Sequence, residues 1–312
     1  MQHAGAALAV TALADRRAGV AWDRMTVAAA SFDLARYLAR IGLDAPPPLT
    51  AAGLSLLQAA HRLAIGFENL DIPLGRGIVI DSAAVFDKLV ARGRGGYCFE
   101  HNRLLRDALA ALGFACRPLL ARVYFGVGPG IVTPRTHICL AVEIDGALWL
   151  ADAGFGGSNL PPLPIVDGAT AQTSDGAGHR LRCIGEQGAL RGQWLLERAG
   201  SHHATDGRAA PHGEWQAQYA FDMGAVAEDD LEQANHWTST RPGTRFTTLC
   251  VASIPQPQGF ASMVDRYLTV HGPEGTQQRE IADAADYART LREVFRIALA
   301  EVEAARLPIF AV

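Results

Sequence analysis

The segment Arg94-Gly95-Gly96-Tyr97-Cys98-Phe99-Glu100 sets a thiol just after a glycine pair, where a helix-periodic run begins. Thr136-His137-Ile138 and Ala151-Asp152-Ala153-Gly154-Phe155-Gly156-Gly157 follow in that order. Cysteine, histidine and aspartate are the parts of a nucleophilic relay. The thiol attacks a carbonyl, the imidazole moves its proton, and the carboxylate fixes the imidazole's tautomer and supports its charge. A free thiol, with a pKa of about 8.5, is mostly protonated at neutral pH, and a neighbouring imidazolium or a helix N-terminus favours the thiolate. Cys98 is expected to have both, with Gly95 and Gly96 leaving room for a substrate to approach the backbone.

The spacing makes a geometric test of the pair. Residues 136–144 and 147–155 are apolar runs joined by Asp145-Gly146, a dipeptide suited to a two-residue hairpin turn. That turn sets Ile144 opposite Ala147 and Cys139 opposite Asp152. His137, two residues from Cys139, then shares a face with Asp152 and lies diagonal to it, at roughly 7–8 Å between backbones. A one-residue slip would put the two side chains on opposite faces.

Other candidates carry less. His101 shares a helical face with Cys98 and is a rival base, but no acid stands at hairpin range from it. Cys116, Cys139, Cys183 and Cys250 read as packing residues. The five cysteines include no CxxC pair, so a zinc knuckle is not expected and a reduced, cytoplasmic setting is. His202-His203 reads as a solvated loop pair, and no metal site is expected. The Gly126–Gly130 loop lacks the Lys-Ser/Thr of a phosphate-binding P-loop.

Elements must hold the relay in place. Helices are expected over Phe32–Leu43, after Thr50, after Asp81-Ser82, and from Cys98 to a stop at Gly113, giving a helical unit over 32–113. Strands are expected at Leu119–Phe125, Thr136–Ile144, Ala147–Phe155, Trp194–Leu196, Trp215–Tyr219 and Phe246–Val251, and a last helix at about Ile281–Ala305. Residues 1–30 read as a poorly ordered extension, with Met25 an alternative start. The chain of 312 residues is 49% hydrophobic with net charge −4, the profile of a soluble globular protein with no nucleic-acid or anionic-membrane partner.

The chain resembles the arylamine N-acetyltransferase family, including N-hydroxyarylamine O-acetyltransferases. The resemblance rests on Phe67-Glu68-Asn69-Leu70, on the Arg94–Glu100 segment, on Thr136-His137 and on Asp152–Gly157, with a weaker echo at Asn235-His236-Trp237-Thr238-Ser239-Thr240. It implies an α+β fold with a cysteine-protease-like core: a helical bundle (31–115) carrying Cys98, a β-barrel (116–225) carrying His137 and Asp152, and an α/β lid with a C-terminal helix (226–312). It implies a ping-pong reaction in which Cys98 takes an acetyl group from acetyl-CoA and gives it to an arylamine or hydrazine, the chemistry of xenobiotic metabolism. His137 would assist proton transfer and Asp152 would orient it. Thr133, Phe155, Gly156 and Gly157 match positions that line the family's coenzyme A cleft. Arg94 and Glu68 read as a buried structural ion pair. Thr240-Arg241-Pro242 departs from the family's Ser/Thr-His-Pro run.

Two enzyme readings stand beside this one: an amide synthase closing a macrolactam from a carrier-bound acyl chain, and a thiol peptidase or transglutaminase-like hydrolase. A non-catalytic binding module would have no need of all three relay residues.

Overall fold

The computed structural model describes residues 32–128, 130–185, 193–211 and 214–310. The expectations for residues 1–30 and for Met25 fall outside them. Helices α1 (Leu34–Ile41) and α2 (Ala51–Ala64) come first. Asp33 caps α1 by accepting the Arg36 N–H at 3.0 Å, and Thr50 caps α2 by accepting the Gly53 N–H at 3.2 Å. The two-residue strand β1 (Phe67–Glu68) follows. Then come α3 (Ser82–Phe86), continued by a single π-helical turn (Asp87–Ala91), and α4 (Cys98–Leu112), which stops at Gly113 with φ 101°. Tyr37, Leu54, Leu57, Leu89, Leu105 and Leu109 bury their side chains in one shared core.

Strands β2 (Ala115–Val123), β3 (Arg135–Ile144), β4 (Ala147–Ala151), β5 (Leu163–Pro164), β6 (Thr170–Gln172), β7 (Gly178–Cys183), β8 (Trp194–Ala199) and β9 (Gln216–Phe221) form one antiparallel sheet, ordered β5-β4-β3-β2-β9-β8-β7-β6. Its two edges are consecutive in the chain, joined only by residues 165–169. That link spans at most about 20 Å. Eight flat strands would hold the edges roughly 34 Å apart. The sheet therefore curls into a nearly closed barrel.

Strand β3 is covered on both sides. Leu140, Val142 and Ile144 pack against the helices, while Cys139 and Ala141 pack inside the barrel with Leu119, Leu181, Leu196 and Tyr219. The parity of His137 is that of Cys139, so it points toward the barrel interior.

After α5 (Glu228–Thr240) and the short α6 (Arg245–Thr248), a four-strand meander β10 (Val251–Gln256), β11 (Gly259–Val264), β12 (Tyr267–Gly272) and β13 (Gly275–Glu280) builds a second sheet. Strand β1 pairs with β10, so its order is β1-β10-β11-β12-β13. Two expectations change here. Residues 246–248 belong to a helical turn rather than a strand. The last helix divides into α7 (Ala284–Glu293) and α8 (Glu301–Ala304). Between them Arg296 takes φ 58°, and the Ala298 N–H donates to the Gly93 carbonyl at 2.9 Å. A continuous helix could not bring Phe295 and Ile297 against Gly66 and Gly95, where they are buried.

Candidate active site

The hairpin has the register its turn dictates. Asp145 and Gly146 take φ 51° and 76°, and Ile144 pairs with Ala147 and Leu140 with Ala151. Asp152 lies one residue past the last pair. His137 Nε2 and Asp152 Oδ2 are 2.7 Å apart and both residues are 2% exposed. The His137 ring is held on its sides by Tyr219 and Phe155, at 4.9 and 5.4 Å between centroids. With Nε2 on the carboxylate, Nδ1 is the nitrogen left for other work.

Three residues that sequence reasoning passed over hold Asp152 and its loop. Asn102, one turn into α4, donates to Asp152 Oδ1 at 2.9 Å and to the Ile138 carbonyl at 2.7 Å, and accepts the Ala153 N–H at 3.0 Å. Gln58 accepts the Asp152 N–H at 2.8 Å and donates to the Leu160 carbonyl at 2.9 Å. Arg62 reaches the carbonyls of Asp152, Phe155 and Ser158 at 3.3, 3.0 and 2.6 Å. Its buried guanidinium thus binds the 152–158 loop from behind. Burial alone would raise the Asp152 carboxyl. The His137 charge, hydrogen bonds from His137 and Asn102, and the Arg62 charge overcome it and hold it below the usual carboxylate range.

Cys98 is the first residue of α4 and is 4% exposed. Its Sγ lies 3.7 Å from the Thr136 carbonyl, to which the thiol donates. The expected lowering of its pKa is reversed. Burial pushes the thiol up, and the Asp152 charge pushes it further, against backbone N–H groups of Phe99 and Ile138 that favour the anion. The helix N-terminus is already engaged: Glu100 accepts the Tyr97 N–H at 3.0 Å and adds its own negative field.

His101 is turned away from this work. Its Nε2 lies 3.2 Å from the Gly66 carbonyl and its Nδ1 2.9 Å from His61 Nε2, while His61 Nδ1 meets Tyr37 Oη at 2.9 Å. Only a donating Nε2 suits a carbonyl, so each neutral ring donates from Nε2 and Tyr37 donates to His61. Burial lowers His101 to about 3. His202 and His203 lie ring to ring at 3.8 Å, and among the described residues no cluster of three or more His, Cys, Asp or Glu could hold a metal.

A cavity of about 430 Å³ reaches Cys98 and His137 and is lined by Phe67, Phe125, Phe155, Phe246, Val251 and others. An N-acetyltransferase family model matches residues 50–304. The chain belongs to the arylamine N-acetyltransferase family. By the same similarity it is an acetyltransferase enzyme. The arylamine N-acetyltransferase of Mycolicibacterium smegmatis is 34% identical over 277 residues, 87% of this chain and 94% of its own length. That of Escherichia coli strain K12 is 32% identical over 265 residues, 84% of this chain and 88% of its own. The solved structure of Mycobacterium marinum arylamine N-acetyltransferase in complex with CoA matches with a TM-score of 0.77 at 32% identity, covering 90% of this chain and all of that one (100%).

The positions matched to the arylamine N-acetyltransferase cleft divide. Thr133, Phe155 and Gly156 line the cavity, whereas Gly157 does not. A Cβ on Gly157 would sit 2.8 Å from the Phe125 ring, so this glycine serves close packing. Arg94 and Glu68 form the expected buried ion pair at 2.7 Å, within a larger group that adds Asp71, Lys88 and Glu100. Trp237 and Thr238 of the C-terminal echo line the cavity, and Tyr97 ties the start of α4 to α5 through the Asn235 side chain. Arg241, at the departure from the family run, lies over the Trp237 ring at 6.0 Å.

Proposed function

We propose that this family member carries an acetyl group from acetyl-CoA, through a thioester on Cys98, to the nitrogen of an arylamine or hydrazine or the oxygen of an N-hydroxyarylamine. The observation that carries this reading is the buried 2.7 Å His137–Asp152 contact on the wall of the cavity that contains Cys98. The coenzyme A complex of the Mycobacterium marinum relative supports the choice of donor. Three phenylalanines beside the thiol suit a flat aromatic acceptor.

In the first half-reaction Sγ–H gives its proton to His137 as the sulfur attacks the acetyl carbonyl. The C–S bond to coenzyme A breaks, and the departing sulfur takes the proton from the imidazolium. In the second, the amine nitrogen attacks the acetyl-cysteine, loses a proton to His137, and Cys98 leaves and recovers it. Two moderate barriers replace one high one. Asp152 supports the imidazolium at both stages, and the Phe99 and Ile138 N–H groups are candidate donors to the oxyanion. A thiol raised by burial suits this order, in which proton loss accompanies attack.

The test is an intact mass spectrum after mixing with acetyl-CoA and no amine, run beside Cys98→Ala. One acetyl group on wild type, absent from the variant and discharged faster by an aniline than by water, is the expected result. Discharge by water alone moves the reading to a hydrolase. No adduct on the folded protein moves it to a carrier-dependent amide synthase.

A further inference from the structure

The cavity has two ends of different chemistry. Its inner end, at Cys98, is buried and flanked by Phe67, Phe155, Phe246 and Val251. Its outer wall carries Arg208 and Arg245, whose side chains keep 27% and 24% of their exposure, and both lean on Asp206, which keeps 3%.

One carboxylate serves both guanidinium groups. Arg208 Nε lies 3.0 and 2.9 Å from the two Asp206 oxygens and Nη2 lies 2.9 Å from Oδ2. The same Oδ2 takes Arg245 Nη2 at 3.3 Å. Arg208 also lies over Phe125, with its guanidinium carbon 4.8 Å from the ring centroid, and its Nη1 donates to the Phe125 carbonyl at 3.4 Å. Arg245 makes no other side-chain hydrogen bond among the described residues. Burial, and the charge of Arg208, draw its pKa down against Asp206 and the weaker field of Asp265. Asp265 is itself engaged, accepting the Cys250 N–H at 2.9 Å. Two half-desolvated cations thus share one carboxylate, with N–H donors to spare, on the wall of the cavity that reaches the thiol.

We propose that Arg208 and Arg245 form a phosphoryl-binding site for the acyl donor, with Asp206 positioning both. The proposal rests on coenzyme A thioester being that donor. Its thioester must reach the inner end, so its pantetheine arm lies along the apolar wall and its phosphates remain at the outer end. Guanidinium forks match phosphate oxygens in pairs, and such charge-assisted bonds are the strong ones. An acceptor's carboxylate is the other source of anionic oxygen, but an amine that attacks the acetyl-cysteine holds its ring among the phenylalanines.

The experiment compares two donors. Single-turnover acetylation of Cys98 is followed by intact mass with acetyl-CoA and with S-acetylpantetheine, which lacks the phosphates. Wild type, Arg208→Gln, Arg245→Gln and Arg245→Lys are used as full-length protein. Each glutamine variant is expected to lose about tenfold of the preference for acetyl-CoA over S-acetylpantetheine. Arg245→Lys, which keeps the charge without the fork, is expected to recover part of it. A ratio of donors that does not move, even if both rates fall, overturns the site, because a structural role lowers both together. An unmoved ratio with slower transfer to 4-aminobenzoate than to aniline overturns it too and assigns the arginines to the acceptor. A wild type that accepts no acetyl group from either donor overturns the acetyltransfer reading along with this one. An adduct with an unmoved ratio overturns this one alone.

Discussion

Asn102→Ala tests whether the carboxylate of Asp152 depends on the residue behind it. Asn102 is fully buried, and its side chain makes three hydrogen bonds, to the Ile138 carbonyl, Asp152 Oδ1 and the Ala153 N–H. Truncation leaves the Ala153 N–H without its acceptor and the Ile138 carbonyl without this donor. Asp152 Oδ1 keeps the Gly154 N–H at 2.8 Å. Each buried polar group deprived of its partner costs about 1–3 kcal/mol, so a loss of about 2–6 kcal/mol is expected for the two. In a chain of this size that lowers Tm by about 3–9 °C. The hydrogen bond from Asn102 is among the influences that hold the Asp152 carboxyl low. A carboxyl with a depressed folded pKa contributes stability above its unfolded pKa and loses it as pH falls through the folded one. Without Asn102 that folded pKa rises, so the acid limb of Cys98 acetylation moves to higher pH. Single-turnover acetylation across pH and a thermal melt measure both effects. Asn102→Asp separates them, because it keeps an acceptor for Ala153 but sets a second carboxylate against Asp152. A melt within about 1 °C of wild type, with the acid limb unmoved, refutes the reasoning.

Asp152→Asn keeps the shape of the site and removes the charge behind His137. Acetylation of Cys98 is expected to slow by about 10⁴, as for the carboxylate of comparable serine relays, and a loss under about tenfold would show that His137 works without it. Gly154→Ala places a Cβ 2.7 Å from the Cys98 Cα and carbonyl oxygen, whereas Gly272→Ala meets nothing within 4 Å. The first should melt well below the second and acetylate poorly, and equal melts would contradict the packing described. Burial keeps His61, His101 and His179 neutral, with His101 and His179 lowered to about 3. The unfolded chain binds their protons first, so stability is full above about pH 6.5 and falls toward pH 3, by up to roughly 1.4 kcal/mol per pH unit for each. Urea midpoints should follow that slope and flatten in His179→Asn, and a midpoint constant from pH 7 to 5 would refute it.

What could be read from the sequence was what neighbours in sequence decide. The caps Thr50 and Gly113, the turn at Asp145-Gly146 and the start of α4 at Cys98 are local events. The hairpin carried His137 and Asp152 to one face with no knowledge of the rest. Asn102, Gln58 and Arg62 were not legible, because their partners lie 36 to 102 residues away in the chain. Strand β13 is exposed along its whole length and shows no alternation to read. The run 246–251 has strand-forming residues, but Thr244 and Asn69 impose other bonds. Asn69 donates to the carbonyls of Phe246 and Leu249, and the Thr244 N–H bonds the Thr247 hydroxyl. The raised thiol of Cys98 was missed for a related reason: a motif gives the helix start but not the depth at which it is buried.

Strand β1 is only two residues long. On one side the Glu68 N–H bonds the Gly96 carbonyl at 2.8 Å, and on the other Phe67 and Glu68 pair with Ser253 and Ala252. So short a strand has no stability of its own. The glycine loop before Cys98 therefore takes its final shape only when chain from far downstream arrives. During synthesis the helices around Cys98 emerge first, but the β1–β10 pairing beside its loop waits until β10 has left the ribosome. An unfinished polypeptide is thus expected to hold Cys98 behind a glycine loop that still lacks its downstream pairing.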